Sequence, residues 1–186
     1  MDNRFEIIVF VLASIGLVFI SRRSLLRPRS HGFYRFFAWE FILALILLKL
    51  DVWFLAPASP HQLVSWVLLL ASLIPLVFGI RSLVTHGKPV RQREGEGQLL
   101  AFEKTSELVT TGIYRYIRHP LYSSLLLLTW GAFFKAPDGA GAALALGVTL
   151  FLVATARADE AECLRFFGAS YQEYMRRTRM FLPFLI

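Results

Sequence analysis

Five apolar stretches divide this chain, and they constrain its fold more than any other feature of the sequence. Only 18% of the 186 residues are charged, against about 25% in a typical soluble domain. A helix needs about 20 apolar residues to cross about 30 Å of hydrocarbon, so the first three stretches predict ordinary membrane spans and the last two predict short ones. The stretches cover residues 5–20, 36–55, 63–80, 121–134 and 140–156. We therefore predict an all-α, polytopic membrane protein with about five transmembrane helices.

The spacing of these stretches predicts a single membrane domain in two parts. Residues 1–80 hold three N-terminal spans, and residues 81–186 form the C-terminal half. Within that half we expect a helical hairpin over 121–156 and an amphipathic tail over 157–186. The first span is interpreted as retained rather than as a cleaved signal, because acidic residues precede it and arginines follow it.

The basic residues are distributed unevenly, and their distribution predicts the orientation of the spans. Seventeen of the 20 lysines and arginines lie in the link between the first two spans, in the link between the third and fourth, and in the tail. The positive-inside rule places these three segments on the cytoplasmic side of the membrane. We therefore expect a multi-pass membrane protein, located in the inner membrane if the source is bacterial. Attraction to anionic lipid headgroups accounts for the net charge of +7, so no nucleic-acid partner is needed.

Polar residues gather on both sides of the predicted hairpin. Arg115, Arg118 and His119 come just before the fourth apolar stretch, and Asp159 and Glu160 come just after the fifth. A helical hairpin returns the chain to the depth at which it left, so the two groups are expected at one level. Two oppositely charged clusters at one depth predict a binding site.

The start of the fourth helix indicates what this site binds. Pro120 is favoured at the first helical position, since its missing N–H would be unpaired there. The free N–H groups of that turn suit a carboxylate, whereas Asp159 and Glu160 suit an ammonium group or ribose hydroxyls. S-Adenosylmethionine carries all of these groups. No zinc-binding spacing is present, and the single cysteine, Cys163, is interpreted as a small packing residue.

Several other polar residues have simpler interpretations. The arginines and tyrosines of segment 112–122, taken alone, are typical of interfacial anchors. Glu162 and Glu173 are interpreted as solvated charges on a helix face. Three charged residues near the ends of the second span are interpreted as structural, namely Glu40, Lys49 and Asp51. Three histidines stay unassigned, namely His31, His61 and His86.

The combination of motifs is more specific than its parts. It consists of LVTTGIYRYIRHPLY at 108–122, the acidic pair at 159–160, FGASYQEY at 167–174 and FLPF at 181–184. Together these motifs resemble the isoprenylcysteine carboxyl methyltransferase and phospholipid methyltransferase superfamily, over about residues 80–186. The resemblance implies a small polytopic membrane enzyme that binds S-adenosylmethionine on the cytoplasmic side and methylates a lipidic substrate.

The resemblance also implies roles for individual residues. Cofactor contacts are expected from Ser106, Glu107, Leu108, Val109, Tyr114, His119, Pro120, Leu121, Tyr122 and Asp159, and the segment around Pro183 is expected to close over the adenine. Arg157 and Glu160 are predicted as catalytic residues. The family has an arginine where this chain has Thr155, and Glu-Glu where this chain has Asp159-Glu160. These departures leave open which acid contacts the cofactor and what is methylated.

The chemistry of the acceptor separates the remaining alternatives. A carboxylate, as on isoprenylcysteine, needs no general base, whereas the ammonium group of phosphatidylethanolamine must first lose a proton. We expect a carboxylate or a thiol-derived lipid, with an arginine as counter-ion, and phospholipid N-methylation is the alternative. An NADPH-dependent enzyme related to sterol reductases, or a non-catalytic membrane scaffold, accounts for less of the pattern.

Overall fold

The computed structural model of this chain describes residues 3–87 and 107–182. The helices are α1 (Asn3–Leu25), α2 (His31–Leu48), α3 (Pro60–His86), α4 (Pro120–Phe133), α5 (Gly139–Phe167) and α6 (Ala169–Arg177). Two short 3₁₀ helices, Leu50–Val52 and Gly112–Arg115, lie between them. Within the two described ranges, β structure is limited to one isolated bridge, so the predicted all-α class is confirmed there.

In the described part of the chain, four helices are long and apolar enough to cross a membrane, namely α1, α2, α3 and α5. The fourth apolar stretch forms α4, which has only 14 residues, as the prediction of a short element required. The prediction that the fifth stretch is short was wrong, because α5 has 29 residues. Residues 157–167 are rich in good helix formers such as alanine, arginine, glutamate and leucine, so the helix continues beyond the apolar run. Asp159 and Glu160 therefore stand on α5.

The surface of α1 shows the environment that this fold requires. Leu12 and Phe19 are each 64% exposed, and they belong to a continuous apolar face along the helix. A contiguous apolar patch of this size is rare on a soluble monomer. It is the expected surface of a helix in lipid, where an exposed leucine costs nothing.

The core of the bundle lies between α2 and α5. Ala38 and Ile42 of α2 pack on Val148 and Leu152 of α5, and all four side chains are buried. On the same interface the ring of Phe151 stacks on rings of α2, including that of Phe37 at 5.2 Å between centroids. This packing fixes α5 against α2 and so determines the neighbours of its charged C-terminal part.

Helices α3 and α4 approach each other closely through a small residue. A Cβ atom added to Gly131 of α4 would lie 2.9 Å from the side chain of Leu69 on α3. Small residues at such contacts are typical of membrane helix pairs, in which association depends on close packing. Toward the other end of the pair, a Cβ atom added to Gly79 of α3 would lie 3.1 Å from Leu121 and 3.2 Å from Pro120, so the start of α4 lies beside the last part of α3.

Two lysines fix the opposite end of the bundle. The Nζ atom of Lys49 donates to Asp138 Oδ2 at 2.7 Å, and that of Lys135 donates to Gln62 Oε1 at 3.0 Å. Lys135 Nζ also lies 3.3 Å from the ring centroid of Trp66. Both lysines are buried, so the interpretation of Lys49 as structural agrees with its ion pair to the α4–α5 turn.

Candidate active site

A cleft opens where α3 ends, α4 begins and α5 becomes charged. Its walls come from these three helices, from the segment before α4 and from α6. The lining residues are Leu83, Leu108, Val109, Tyr114, Arg118, His119, Pro120, Leu121, Tyr122, Asp159, Cys163, Phe167, Tyr171 and Tyr174. The two clusters that the sequence predicted at one depth are therefore brought together in this cleft.

His119, the residue that caps α4, lies between the two acids of α5. Its Nε2 atom is 3.2 Å from Glu160 Oε1, and its Nδ1 atom is 3.5 Å from Asp159 Oδ2. Tyr122, one turn along α4, stacks on the imidazole ring and donates its hydroxyl to Asp159 Oδ2 at 3.2 Å. A carboxylate beside each ring nitrogen suits the imidazolium form, in which both nitrogens are donors.

The electrostatic surroundings of His119 favour its charged form. Burial acts to lower the pKa of His119, but the hydrogen bonds and charges of Asp159 and Glu160 outweigh it and raise that pKa above its ordinary value. The ring is 5% exposed. His119 therefore links α4 to α5 through an ionic network, and the first turn of α4, which follows it, lines the cleft.

Helix geometry gives the two neighbouring acids different surroundings. Successive residues of an α-helix differ by about 100° in direction, so Asp159 and Glu160 cannot face the same way. Asp159 lines the cleft with 24% of its side chain exposed, while the side chain of Glu160 is only 9% exposed. Glu160 accepts a hydrogen bond from Nε of Arg118 at 2.6 Å. Asp159 is thus the acid available to a ligand.

Arg118 is fully engaged by the protein. Besides Glu160, it donates through Nη1 to the backbone carbonyls of Met175, at 3.2 Å, and Thr178. A guanidinium held by a carboxylate and two carbonyls is a positioning element for α5 and the chain after α6. These contacts favour the interpretation of Arg118 as part of the charged cluster over the simpler one as an interfacial anchor.

Two tyrosines of α6 form an aromatic wall of the cleft. Tyr171 and Tyr174 are buried, and burial raises the pKa of each phenol, so both remain neutral. The hydroxyl of Tyr174 donates to the carbonyl of Tyr114 at 2.7 Å, which holds α6 against the 3₁₀ turn. The two rings meet edge to face, with centroids 5.7 Å apart and an angle of 62° between their planes, so the wall is aromatic but not flat.

The segment after α6 pairs with the residues around the start of α4. Arg118 N–H donates to the carbonyl of Arg179 at 2.8 Å, and His119 N–H donates to that of Met180 at 3.1 Å. Ser123 donates to the carbonyl of Phe181 at 2.7 Å, and Phe181 is buried beside the His119 ring. The start of the FLPF motif is therefore paired with the residues that open α4, whereas Pro183 and Phe184 lie outside the described residues.

Most of the predicted cofactor residues line the cleft. Eight of them do so: Leu108, Val109, Tyr114, His119, Pro120, Leu121, Tyr122 and Asp159. Glu107 is exposed and is not among the lining residues, and Ser106 lies outside the described residues. The two predicted catalytic residues also stand apart, since Glu160 is turned toward Arg118 and Arg157 is exposed on α5.

The sequence interpretation did not assign several residues that the structure brings to the cleft. Tyr171 and Tyr174 belong to a motif that carried the resemblance, and their spacing of three residues on a helix was a sign that they share a face. Cys163, interpreted as a packing residue, lies one turn after Asp159, with its sulfur 3.7 Å from Asp159 Oδ1. Phe167 opens the same motif, and Leu83 gave no signal beyond being apolar.

One interpretation outside the cleft is also corrected. Glu162 was expected to be a solvated charge and His31 had no assigned neighbour, but both are buried and they bind each other. His31 Nδ1 lies 2.6 Å from Glu162 Oε2. The pair joins residues 131 positions apart, and sequence spacing alone carries no signal for such a contact.

The comparisons with known proteins agree with this site. Residues 95–170 match the family described as phospholipid methyltransferase. The predicted resemblance to the isoprenylcysteine carboxyl and phospholipid methyltransferase superfamily is confirmed. The matched segment includes all of α4 and α5 and 11 of the 14 residues that line the cleft, whereas Tyr171 and Tyr174 of α6 lie just beyond it.

The relatives that the chain matches are named as methanethiol S-methyltransferases or as an isoprenylcysteine O-methyltransferase. The chain is 32% identical over 71 residues to methanethiol S-methyltransferase 2 of Bradyrhizobium diazoefficiens, covering 38% of this chain and 27% of the relative. It is 26% identical over 125 residues to methanethiol S-methyltransferase of Crocosphaera subtropica, covering 65% and 44%. It is 33% identical over 84 residues to protein-S-isoprenylcysteine O-methyltransferase B of Arabidopsis thaliana, covering 45% and 43%.

The chain spans less than half of the length of each of these relatives. No solved structure matches the chain significantly. The segment that matches the family, residues 95–170, lies within the C-terminal half of the chain.

Proposed function

We propose that this chain is an S-adenosylmethionine-dependent membrane methyltransferase whose acceptor is an apolar thiol that reaches the cleft from the bilayer. The observation that carries the proposal is the cleft itself. It joins the first turn of a helix, an accessible acid and an aromatic wall, and most of it lies within the segment that matches phospholipid methyltransferases. The site is expected to face the cytoplasm.

The donor set of the cleft fits the parts of S-adenosylmethionine. The first turn of α4, toward which the positive end of the helix dipole points, suits its carboxylate. Asp159, with its partly exposed carboxylate, suits the ammonium group or the ribose hydroxyls. The apolar faces of Tyr171 and Tyr174 suit the adenine ring.

Bound S-adenosylmethionine supplies an electrophilic methyl group, so the chain's own task is mainly alignment. Holding two reactants in line can contribute about 7 to 11 kcal/mol to lowering a barrier. The network of His119, Asp159 and Arg118 supports this role, because it fixes the first turn of α4 relative to α5. No covalent intermediate on the protein is needed.

The charges around the cleft favour a neutral acceptor over an anionic one. Among the described lining residues the cations are Arg118 and His119, and both are engaged by the acids of α5. An acceptor carboxylate would therefore compete with Glu160 for its counter-ion. A thiol needs none, and two of the relatives are named for methylating methanethiol.

A carboxylate acceptor is the second candidate, favoured by the relative named as an isoprenylcysteine O-methyltransferase. It would require Arg157 as counter-ion, as the sequence predicts. Residues two apart on a helix point to different sides, so Arg157 and Asp159 do not face the cleft together. Arg157 would have to bind the acceptor at the rim.

A transfer assay separates these acceptors. The protein, purified into lipid nanodiscs, is given S-adenosylmethionine labelled in its methyl group together with decanethiol, an S-prenylated cysteine or phosphatidylethanolamine. We expect label in the methyl thioether product, at a rate that falls strongly in Asp159→Asn. Label only in the prenylcysteine ester, with loss in Arg157→Ala, would support the second candidate instead. Absence of label in all three products would refute the proposed activity.

A further inference from the structure

A buried histidine and glutamate pair lies next to the cleft and is not used by the cofactor site. His31 is the first residue of α2 and is 1% exposed, and Glu162 stands on α5 with 8% exposed. Glu162 Oε1 accepts the backbone N–H of His31 at 3.0 Å, and Glu162 Oε2 lies 2.6 Å from Nδ1 of its ring. The glutamate therefore fixes both the position and the orientation of the imidazole.

The hydrogen bonding of this pair leaves one nitrogen of the ring without a partner. An ionised carboxylate only accepts, so Nδ1 of His31 carries a proton, and in the neutral form of the ring Nε2 carries the lone pair. That Nε2 atom is buried and has no hydrogen-bond partner among the described residues. Leaving a buried polar atom unpaired costs about 1 to 3 kcal/mol, so such an atom calls for an explanation.

The pair is placed on the same face of α5 as the acid of the cleft. Glu162 follows Asp159 by three residues, which puts the two side chains about 5 to 6 Å apart at Cβ on one side of the helix. His31 lies within electrostatic range of Asp159, and Arg35 of α2 is the third charged group that faces it. The free nitrogen is therefore buried near Asp159, and an acceptor thiol would have to reach it beside the lining of the cleft, to which His31 does not belong.

We infer that His31 is the general base that removes the proton of the thiol acceptor, and that Glu162 is its positioning residue. This assignment rests on the proposed function. The S–H proton passes to Nε2, and the thiolate electron pair forms a bond to the methyl carbon. The bond between that carbon and the sulfonium sulfur breaks, and its electron pair stays on the departing sulfur. The proton on the imidazole is lost to water after the products leave.

A base is useful here because the thiolate, not the thiol, is the nucleophile. Even the cysteine thiol has an ordinary pKa of about 8.5, so an alkyl thiol is mostly protonated near neutral pH. A positioned base typically contributes about 10²- to 10⁴-fold to such a step. A histidine whose Nδ1–H is held by a carboxylate is the usual arrangement for this task.

The competing explanation is purely structural, since Glu162 also caps the first turn of α2. The variant His31→Asn separates the two roles. Asparagine can place an amide N–H near the position of Nδ1 and keep the bond to Glu162, but it has no atom equivalent to Nε2. His61→Asn is the matched control, because His61 bonds to Ser59 and to the Phe134 carbonyl at the opposite end of the bundle.

The experiment measures methyl transfer by the parent and His31→Asn to two thiols, together with S-adenosylmethionine affinity by calorimetry. One thiol is decanethiol, and the other is an aromatic thiol that is already ionised at the assay pH. We expect His31→Asn to lower the decanethiol rate by at least about 100-fold, with affinity for the methyl donor unchanged. Transfer to the ionised thiol is expected to stay close to the parent rate, and His61→Asn to behave as the parent with both.

A pH series and the second residue sharpen the test. The decanethiol rate of His31→Asn is expected to climb with pH as the thiol ionises by itself, whereas the parent rate levels off earlier. Glu162→Gln should lose less of the decanethiol rate than His31→Asn does, because an amide oxygen still accepts the Nδ1–H of His31.

Three results would overturn the assignment. The first is an unchanged rate of decanethiol methylation in His31→Asn. The second is an equal loss of rate with both thiols, because that would mark a structural role. The third is a parent protein that binds S-adenosylmethionine but methylates no thiol. A parent that binds no S-adenosylmethionine would instead refute the proposed function itself.

Discussion

At the scale of single residues, the site depends on which neighbours each charge has. Asp159 and Glu160 are adjacent in sequence, yet one lines the cleft and the other holds Arg118. The sequence could predict that an acidic pair lies here, because the motif is specific. It could not predict which acid is accessible, since that depends on where α4 and the chain after α6 pack around α5.

The ionic network of His119 makes stability depend on pH. Because the pKa of His119 is raised in the folded protein, its charged form stabilises the fold fully below about pH 6.5, its ordinary pKa. That contribution is lost as the pH rises through the raised value. We therefore expect the thermal midpoint of the detergent-purified protein to fall between pH 6 and pH 9, and His119→Gln to flatten this dependence.

His61→Gln is the matched control for this series and is expected to keep the parent slope. If His119→Gln showed the same slope as the parent, the network would not be the source of the pH dependence.

At the scale of elements, hydrogen bonds hold the segment after α6 to the residues around the start of α4, and the bond made by Ser123 can be tested. Ser123 Oγ lies 2.7 Å from the Phe181 carbonyl and 3.0 Å from that of His119, and one hydroxyl hydrogen serves the shorter contact. Ser123→Ala should leave the buried carbonyl unpaired, at about 1 to 3 kcal/mol. We expect faster tryptic cleavage after the exposed Arg179 and weaker S-adenosylmethionine binding.

Thr149→Val is the control for this effect, because the Thr149 hydroxyl bonds only to the Ala145 carbonyl of its own helix. Cleavage of Ser123→Ala at the parent rate would show that the segment is held by its backbone pairing alone.

The turn that leads into α4 depends on a glycine. Gly112 has a φ of +62°, and a Cβ atom added there would lie 2.5 Å from Ser82 Oγ of α3. The left-handed conformation alone costs a residue with a side chain about 1 to 2 kcal/mol. We predict that Gly112→Ala lowers the thermal midpoint by several degrees, since 1 kcal/mol corresponds to about 2 to 4 °C in a chain of this size.

The control for that variant is Gly139→Ala at the start of α5, where nothing lies within 4 Å of an added Cβ atom. The double variant Gly112→Ala with Ser82→Gly should recover the part of the loss in thermal midpoint that comes from the close contact. The part that comes from the left-handed φ should remain. Equal midpoints for both single variants would contradict the account of this turn.

The helices themselves were the most predictable elements. Apolar runs gave the existence of α1 to α5, because hydrophobic length is a direct physical requirement for a span. The end of α5 was not predictable from apolarity, since its last part is polar and is helical through propensity and tertiary contacts such as the His31–Glu162 pair. The same pair shows why contacts between distant residues escaped the sequence interpretation.

At the scale of the whole molecule, the two ends of the bundle have different characters. The cleft and the His31–Glu162 pair lie at one end, and the buried lysines pairing with Asp138 and Gln62 lie at the other. Among the residues that the structure describes, most lysines and arginines lie at the end of the bundle that holds the cleft. The positive-inside rule therefore predicts that this end faces the cytoplasm.

Single cysteines test this orientation in a Cys163→Ser background. Both Ala58 and Thr110 are exposed, so cysteines placed there are accessible to a membrane-impermeant maleimide. In intact cells or right-side-out vesicles we expect Ala58→Cys to be labelled from outside and Thr110→Cys only after permeabilisation. The reverse labelling would invert the predicted topology.

The central claim is that the cleft binds S-adenosylmethionine through Asp159, and calorimetry on the detergent-purified protein tests it most directly. The account predicts that the parent binds S-adenosylmethionine and not NADPH, and that Asp159→Asn binds at least about tenfold more weakly, or about 1.4 kcal/mol. Glu173→Gln, which changes an exposed carboxylate of α6, should bind as the parent does. A parent without measurable binding, or equal affinity in the parent and Asp159→Asn, would contradict the account.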